Sequence, residues 1–142
     1  MKKYLTMFIL IIYSSCGTTG RIMFYHFNVS KYVVDKQLID ILSKDSLYVV
    51  PVKWSNCKDG DVVEMRYVYL KSPPEEIYRM AFKYDSTIWK QTSISSLAFV
   101  SQFNGEIWKN ERELSKKELE RITKRFEEEI LSKIKYPYYK SE

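Results

Sequence analysis

The chain has 142 residues, of which 45% are hydrophobic and 29% charged, with only 4 glycines and 4 prolines. This composition excludes a disordered or collagen-like chain, and the length suits one domain with one core. The formal net charge is +5. Because basic and acidic residues alternate along the chain instead of clustering, we do not expect nucleic-acid binding.

The first residues have the layout of an export signal. Two lysines come first, an apolar run from Leu5 to Tyr13 follows, and two serines precede Cys16. The apolar run is shorter than the roughly 20 residues that a membrane span needs. The segment is therefore predicted to direct export.

The end of this segment, Ile12 to Cys16, resembles the lipobox of bacterial lipoproteins, in which small residues precede a cysteine. The resemblance implies that residues 1–15 are a cleaved signal peptide and that the Cys16 sulfur carries lipid, with fatty acid also on the new N-terminus. Several acyl chains hold a protein stably at a membrane. Gly17 follows with no acidic residue nearby, which by the same resemblance implies an outer-membrane lipoprotein facing the periplasm. A plain secretory signal cut near Ser15 and an uncleaved anchor are the alternatives.

The mature chain is predicted to be one domain on a short tether. Residues 16–21 form the tether, and residues 22–142 form a single domain that begins with apolar residues. Since a residue spans at most about 3.5 Å, the domain is expected close to the membrane. A lipidated Cys16 cannot form a disulfide, so Cys57 is expected to be a buried or loop thiol without chemistry, with a site for intermolecular pairing as the alternative.

Three elements are predicted in the first half of the domain. A helix is predicted from a cap at Ser30 to about Lys44, because apolar residues recur on one helical face. The stretch Leu47 to Trp54 is rich in valine and aromatic residues and predicts a strand, which Pro51 places at a sheet edge or at a bulge. After a turn, Val62 to Lys71 alternates apolar and polar residues, which predicts a half-buried strand.

The middle of the chain is less regular. Residues 75–84 fit the periodicity of a helix and of a strand, and we predict a strand because the segment continues a meander between strands. The polar stretch that follows, up to Ser96, predicts a loop in which Trp89 packs against the domain. Leu97 to Phe103 then predicts another strand.

A hairpin is predicted after this strand. Asn104 and Gly105 are typical of a two-residue type I′ turn, with Glu106 to Lys109 as the returning strand. In that register Ser101 pairs with Trp108, and two phenylalanines flank the indole.

The last predicted element is a long helix. Ser115 and Glu118 form a capping box, and leucines at 114 and 119 form a hydrophobic staple. The helix is predicted to end near Ile134, before Pro137.

These elements predict an α+β domain. The simplest arrangement that buries their apolar faces is an antiparallel sheet of four or five strands, packed by the N-terminal helix and the long C-terminal helix.

Signatures of catalysis are weak. His26 is the single histidine and lies in an apolar segment, where a structural role is the usual one. Asp59, Asp61 and Glu64 form an acidic turn without the spacing of a calcium loop. The sequence contains neither a GxSxG motif nor a phosphate-binding glycine loop. We therefore expect a protein that is not an enzyme and has no cofactor and no bound metal.

Aromatic residues are abundant, with 12 tyrosines and 3 tryptophans, and such residues favour interfaces. A possible interaction surface comprises Trp108, Tyr136, Tyr138 and Tyr139. The leading hypothesis is a small non-catalytic envelope lipoprotein that binds a protein or an envelope component near the membrane. The alternative is an inhibitor or immunity-type lipoprotein that blocks a secreted toxin or hydrolase.

Overall fold

The computed structural model describes residues 23–57, 65–83 and 86–142; for residues 56, 57 and 86 it describes the backbone only. The strands are β1 (Phe24–Phe27), β2 (Met65–Leu70), β3 (Glu76–Phe82), β4 (Ser95–Phe103), β5 (Trp108–Asn110) and β6 (Tyr138–Ser141). The helices are α1 (Lys31–Lys44), α2 (Ser86–Gln91) and α3 (Lys116–Glu129). The predicted helix after Ser30, the strands within 62–71, 75–84 and 97–103, and the α+β class are confirmed.

The strands form one antiparallel sheet in the order β2-β3-β4-β1-β6. β4 is central, and its two halves have different neighbours on one side. β1 pairs with Ser95 to Ala98 and β5 with Ser101 to Phe103. The sheet has six strands instead of the predicted four or five, because the segment after residue 22 and the C-terminal tail pair with each other as β1 and β6.

Helices α1 and α3 cover one face of this sheet. Side chains alternate along each strand, so that Tyr25 and Phe27 are buried while Phe24 and His26 are half-buried on the opposite face. The core lies between the covered face and the two helices. Its largest fully buried side chains are Tyr25, Tyr78, Phe27, Phe126, Leu38, Leu70, Met80, Leu97, Ile122, Ile130 and Leu131.

The start of α3 is as predicted. Ser115 Oγ accepts a hydrogen bond from the Glu118 N–H at 3.2 Å, and Glu118 Oε2 accepts from the Ser115 N–H at 2.9 Å. The end of α3 differs from the prediction, because α3 stops at Glu129 and a 3₁₀ turn covers Leu131–Lys133. The tighter turn still buries Ile134, so the apolar spacing alone could not reveal the change.

The predicted strand from Leu47 to Trp54 is wrong. The segment forms two 3₁₀ helices, Ser46–Tyr48 and Val52–Cys57. Asp45 Oδ1 accepts a hydrogen bond from the Leu47 N–H at 2.9 Å and so starts the first one. Such a local side-chain bond competes with sheet pairing and outweighs the strand propensity of the valines.

The predicted hairpin register is also wrong. Phe103 pairs with Trp108, and Ser101 with Asn110, so the loop has four residues. Asn104 Oδ1 accepts hydrogen bonds from the N–H groups of residues 106 and 107, both at 3.0 Å. Gly105 has φ 99°, a conformation that only glycine adopts freely.

The polar stretch before β4 is not only loop, because residues 86–91 form α2. Trp89 on this helix is buried, as predicted, and its Nε1 donates to the Lys83 carbonyl at 2.8 Å.

Candidate functional site

The face of the sheet turned away from α1 and α3, called the open face below, carries two kinds of surface. Near the β4–β5 hairpin it is packed, because Trp54 contacts Tyr69 and Phe103 with ring centroids 5.9 and 5.3 Å apart. Tyr69, Ile77 and Phe103 are buried there in a second hydrophobic cluster. Farther along the strands, the open face forms a groove.

The groove has a volume of about 410 Å³ and a floor of small side chains. Ala81, Ala98 and Phe24 lie side by side on three neighbouring strands. Lys83 lies at the rim, with its ammonium 5.2 Å from the centroid of the Phe24 ring. The opposite wall is the segment Asn110–Arg112, which follows β5. The alanines leave room that larger residues would fill.

A 3₁₀ turn, Glu111–Glu113, holds this wall in place. Asn110 Oδ1 accepts from the Arg112 N–H at 3.0 Å, and Glu113 Oε2 accepts from the Asn110 N–H at 2.8 Å. These two bonds form a capping box that fixes the backbone of the turn. The backbone position of Glu111 beside the groove is therefore fixed.

Glu111 is the unusual group of the site. Its side chain lines the groove while the residue is only 8% exposed, and its Oε1 has no hydrogen-bond partner among the residues that the structure describes. Burial raises the pKa of Glu111 above its ordinary value, and the charge of Arg112 opposes this rise. Buried polar groups in folded proteins almost always have a partner, so Oε1 of Glu111 is an exception that has the capacity for one more hydrogen bond.

A second polar group lies next to the groove on β1. His26 Nδ1 is 2.7 Å from Ser96 Oγ, and its Nε2 is 2.6 Å from Ser141 Oγ. The ring stacks on Tyr139, with centroids 4.8 Å apart. Burial and the charge of Lys83 lower the pKa of His26, so the neutral ring donates to one serine and accepts from the other.

This histidine joins β1, β4 and β6 across the sheet. A serine nucleophile needs a histidine base that is itself oriented by a third group. Here both ring nitrogens bond to serines, one on each neighbouring strand. The arrangement supplies hydrogen bonding and stacking, and it fixes the relative position of the strands beside the groove.

The predicted interaction residues do not come together. Tyr139 is 60% exposed on the open face, and Trp108 lies at the opposite end of that face, with its ring 4.6 Å from the Arg79 guanidinium carbon. Tyr136 and Tyr138 are half-buried and pack against the main core, where Tyr138 contacts Tyr25 at a centroid distance of 5.5 Å.

Other predicted features lie outside the described residues. They are the signal peptide, Cys16 and the acidic turn with Asp59, Asp61 and Glu64, and the side chain of Cys57 is likewise not described. Within residues 23–57, 65–83 and 86–142, histidine, cysteine and acidic side chains do not gather in a group that could hold a metal ion. Over the same ranges, each helix is too short or too polar to cross a membrane.

The sequence did not predict that the groove residues form a site. Ala81 and Ala98 occupy strand positions that have no unusual sequence pattern. They become neighbours only through the register in which β3 pairs with β4. Glu111 belongs to an exposed-looking run of charged residues. No sequence signal marks it as buried.

No protein-family model, no curated protein and no solved structure matches this chain.

Proposed function

We propose that the protein is a small non-catalytic lipoprotein of the bacterial envelope, and that it uses the groove on its open face to bind a protein or another envelope component. Lipid on Cys16 would hold the domain at the outer membrane, facing the periplasm. The lysines, apolar run and small residues before Cys16 support the anchor.

The observation that carries the binding role is a groove floored by Ala81 and Ala98 and lined by Glu111, whose buried Oε1 has no hydrogen-bond partner within the part of the chain that the structure describes. Binding sites are concave, mostly apolar, and contain a few polar groups that orient the ligand. The groove combines these features. Its volume of about 410 Å³ is within the range of small-ligand sites, about 300 to 1,000 Å³.

Site-specific photo-crosslinking in intact cells tests this role. A photoreactive residue at position 83, on the rim of the groove, is expected to give a discrete adduct with an envelope component. The matched control is position 124, whose lysine side chain is 75% exposed on α3, on the other side of the domain. Ala98→Leu, which enlarges the floor residue, should remove the adduct. Absence of an adduct at position 83, or the same adducts from both positions, contradicts the proposal.

A further inference from the structure

The chemistry of the groove narrows what it can bind. Glu111 lines the groove, and its buried Oε1 finds no hydrogen-bond partner in residues 23–57, 65–83 and 86–142; a buried carboxylate oxygen without a donor is unfavourable. A cationic nitrogen donor suits this oxygen best, because charge-assisted hydrogen bonds are shorter and stronger than neutral ones. The first requirement on the ligand is therefore a cationic donor, and an ammonium group is the compact one.

The rest of the groove sets two further requirements. The floor of Ala81 and Ala98, with the ring of Phe24 beside it, favours an apolar body that these groups remove from water. The Arg112 guanidinium and the Lys83 ammonium add positive charge at the two walls. Positive charge next to an amine-binding carboxylate suits a ligand that also carries an anionic group.

We propose that the groove binds the ammonium and carboxylate of a small apolar peptide or amino acid, with the ammonium on Glu111, the apolar side chain on the alanine floor, and the carboxylate toward Arg112 on the same wall. The inference rests on the proposed function and specifies the ligand of the same groove. The raised pKa of Glu111 agrees with it, because burial without a donor disfavours the ionised form that the ammonium would stabilise.

Other ligand chemistries fit less well. A purely anionic ligand would meet the Glu111 carboxylate, and a purely apolar ligand would leave that carboxylate buried and unpaired. A hard cation such as calcium takes six to eight oxygen ligands, whereas Glu111 is the one acidic side chain among the residues that line the described groove.

The test is isothermal titration of the full chain, purified from membranes in detergent, with alanyl-phenylalanine and with phenylalanine. We expect saturable binding of at least one of them, and the tighter one shows whether the source is a peptide or a free amino acid. N-acetylation of the tighter ligand should weaken binding at least about tenfold, which corresponds to about 1.4 kcal/mol. Titration into empty micelles corrects for partitioning.

Two variants tie the binding to the groove. Glu111→Gln is expected to weaken binding at least about tenfold, whereas Glu106→Gln, at an exposed glutamate of the hairpin loop, leaves it unchanged. Ala98→Leu provides an independent test by occupying the floor, should Glu111→Gln impair folding.

Absence of binding by both ligands at concentrations up to about 10 mM would overturn the inference, as would equal affinity for the N-acetylated ligand. If binding fails while the adduct from position 83 persists in cells, the ligand class is wrong and the binding face stands.

Discussion

Arg125 of α3 reaches the buried carboxylate of Glu76 on β3, with Nη1 2.9 Å from Oε2. Glu76 is 2% exposed and also accepts hydrogen bonds from Arg121, Tyr78 and Gln102. The carboxylate thus joins the C-terminal helix to the middle of the sheet. Because a buried charge is tolerated only with such partners, this pair fixes how α3 lies on the covered face.

Glu76→Gln is expected to destabilise the domain by about 3 kcal/mol, because Arg125, whose side chain is 10% exposed, loses one of its two carboxylate partners and keeps only Glu129. The measurement is urea unfolding at pH 7 of the chain without residues 1–16. Glu120→Gln, at an exposed position on the same helix, serves as the control and should change stability by less than about 0.5 kcal/mol. Equal stability of wild type and Glu76→Gln would contradict the role of this carboxylate.

The Glu76 carboxylate also makes the free energy of unfolding depend on pH. Burial alone would raise the pKa of Glu76, but hydrogen bonds from Arg121 and Tyr78 and the nearby guanidinium charges outweigh it, so its pKa lies below the ordinary value. Its contribution is therefore complete above the unfolded-state pKa, about 4.3, and is lost as the pH falls through the lower folded-state pKa. The difference in unfolding free energy between wild type and Glu76→Gln should shrink over that acidic range. A difference that does not vary with pH would refute this assignment.

Ser115→Ala removes one bond of the capping box at the start of α3 and is expected to cost about 1 kcal/mol. Thermal unfolding followed by circular dichroism measures the loss. Ser43→Ala, at an exposed position near the end of α1, is the matched control. A loss from Ser43→Ala as large as that from Ser115→Ala would show that the capping box is not its source.

Glu111→Gln is expected to stabilise the unliganded domain at pH 7 by roughly 1 kcal/mol, because burial costs an unpaired carboxylate more than a neutral amide. The raised pKa of Glu111 shows that folding disfavours its ionised form, so removal of the charge should raise the free energy of unfolding at pH 7. The contribution of Glu111 is most favourable below the unfolded-state pKa and is lost as the pH rises through the higher folded-state pKa. Urea unfolding at pH 7 and at pH 4 tests both points. Lower stability of Glu111→Gln at pH 7 would mean that the carboxylate has a partner after all.

Elements with strong local signals could be predicted from the sequence. The spacing of apolar residues after Ser30 correctly predicted α1, and the capping box at Ser115 correctly predicted the start of α3. The prediction from periodicity was wrong where a short polar side chain accepts a hydrogen bond from a backbone N–H close by in the sequence. Asp45 starts the first of two 3₁₀ helices in a valine-rich segment, and Asn104 stabilises a hairpin loop two residues longer than predicted.

The candidate site was harder to predict, because it depends on contacts between distant parts of the chain. Ala81 and Ala98 form a floor only once β3 and β4 pair, and Phe24 joins them only because β1 lies against β4. Glu111 is buried although it lies in a run of charged residues, because its 3₁₀ turn packs against β4. Alternation within a strand indicates which side chains share a face, but it does not indicate which distant strand will lie beside it.

The most direct test of the proposed anchor is metabolic labelling with a fatty acid in bacteria that express the full chain, followed by fractionation of the cells. The account predicts that the wild-type chain and Cys57→Ala are labelled and sediment with the outer membrane, and that Cys16→Ala is not labelled. An unlabelled wild-type chain, found in the cytosol with residues 1–15 still attached, would contradict it.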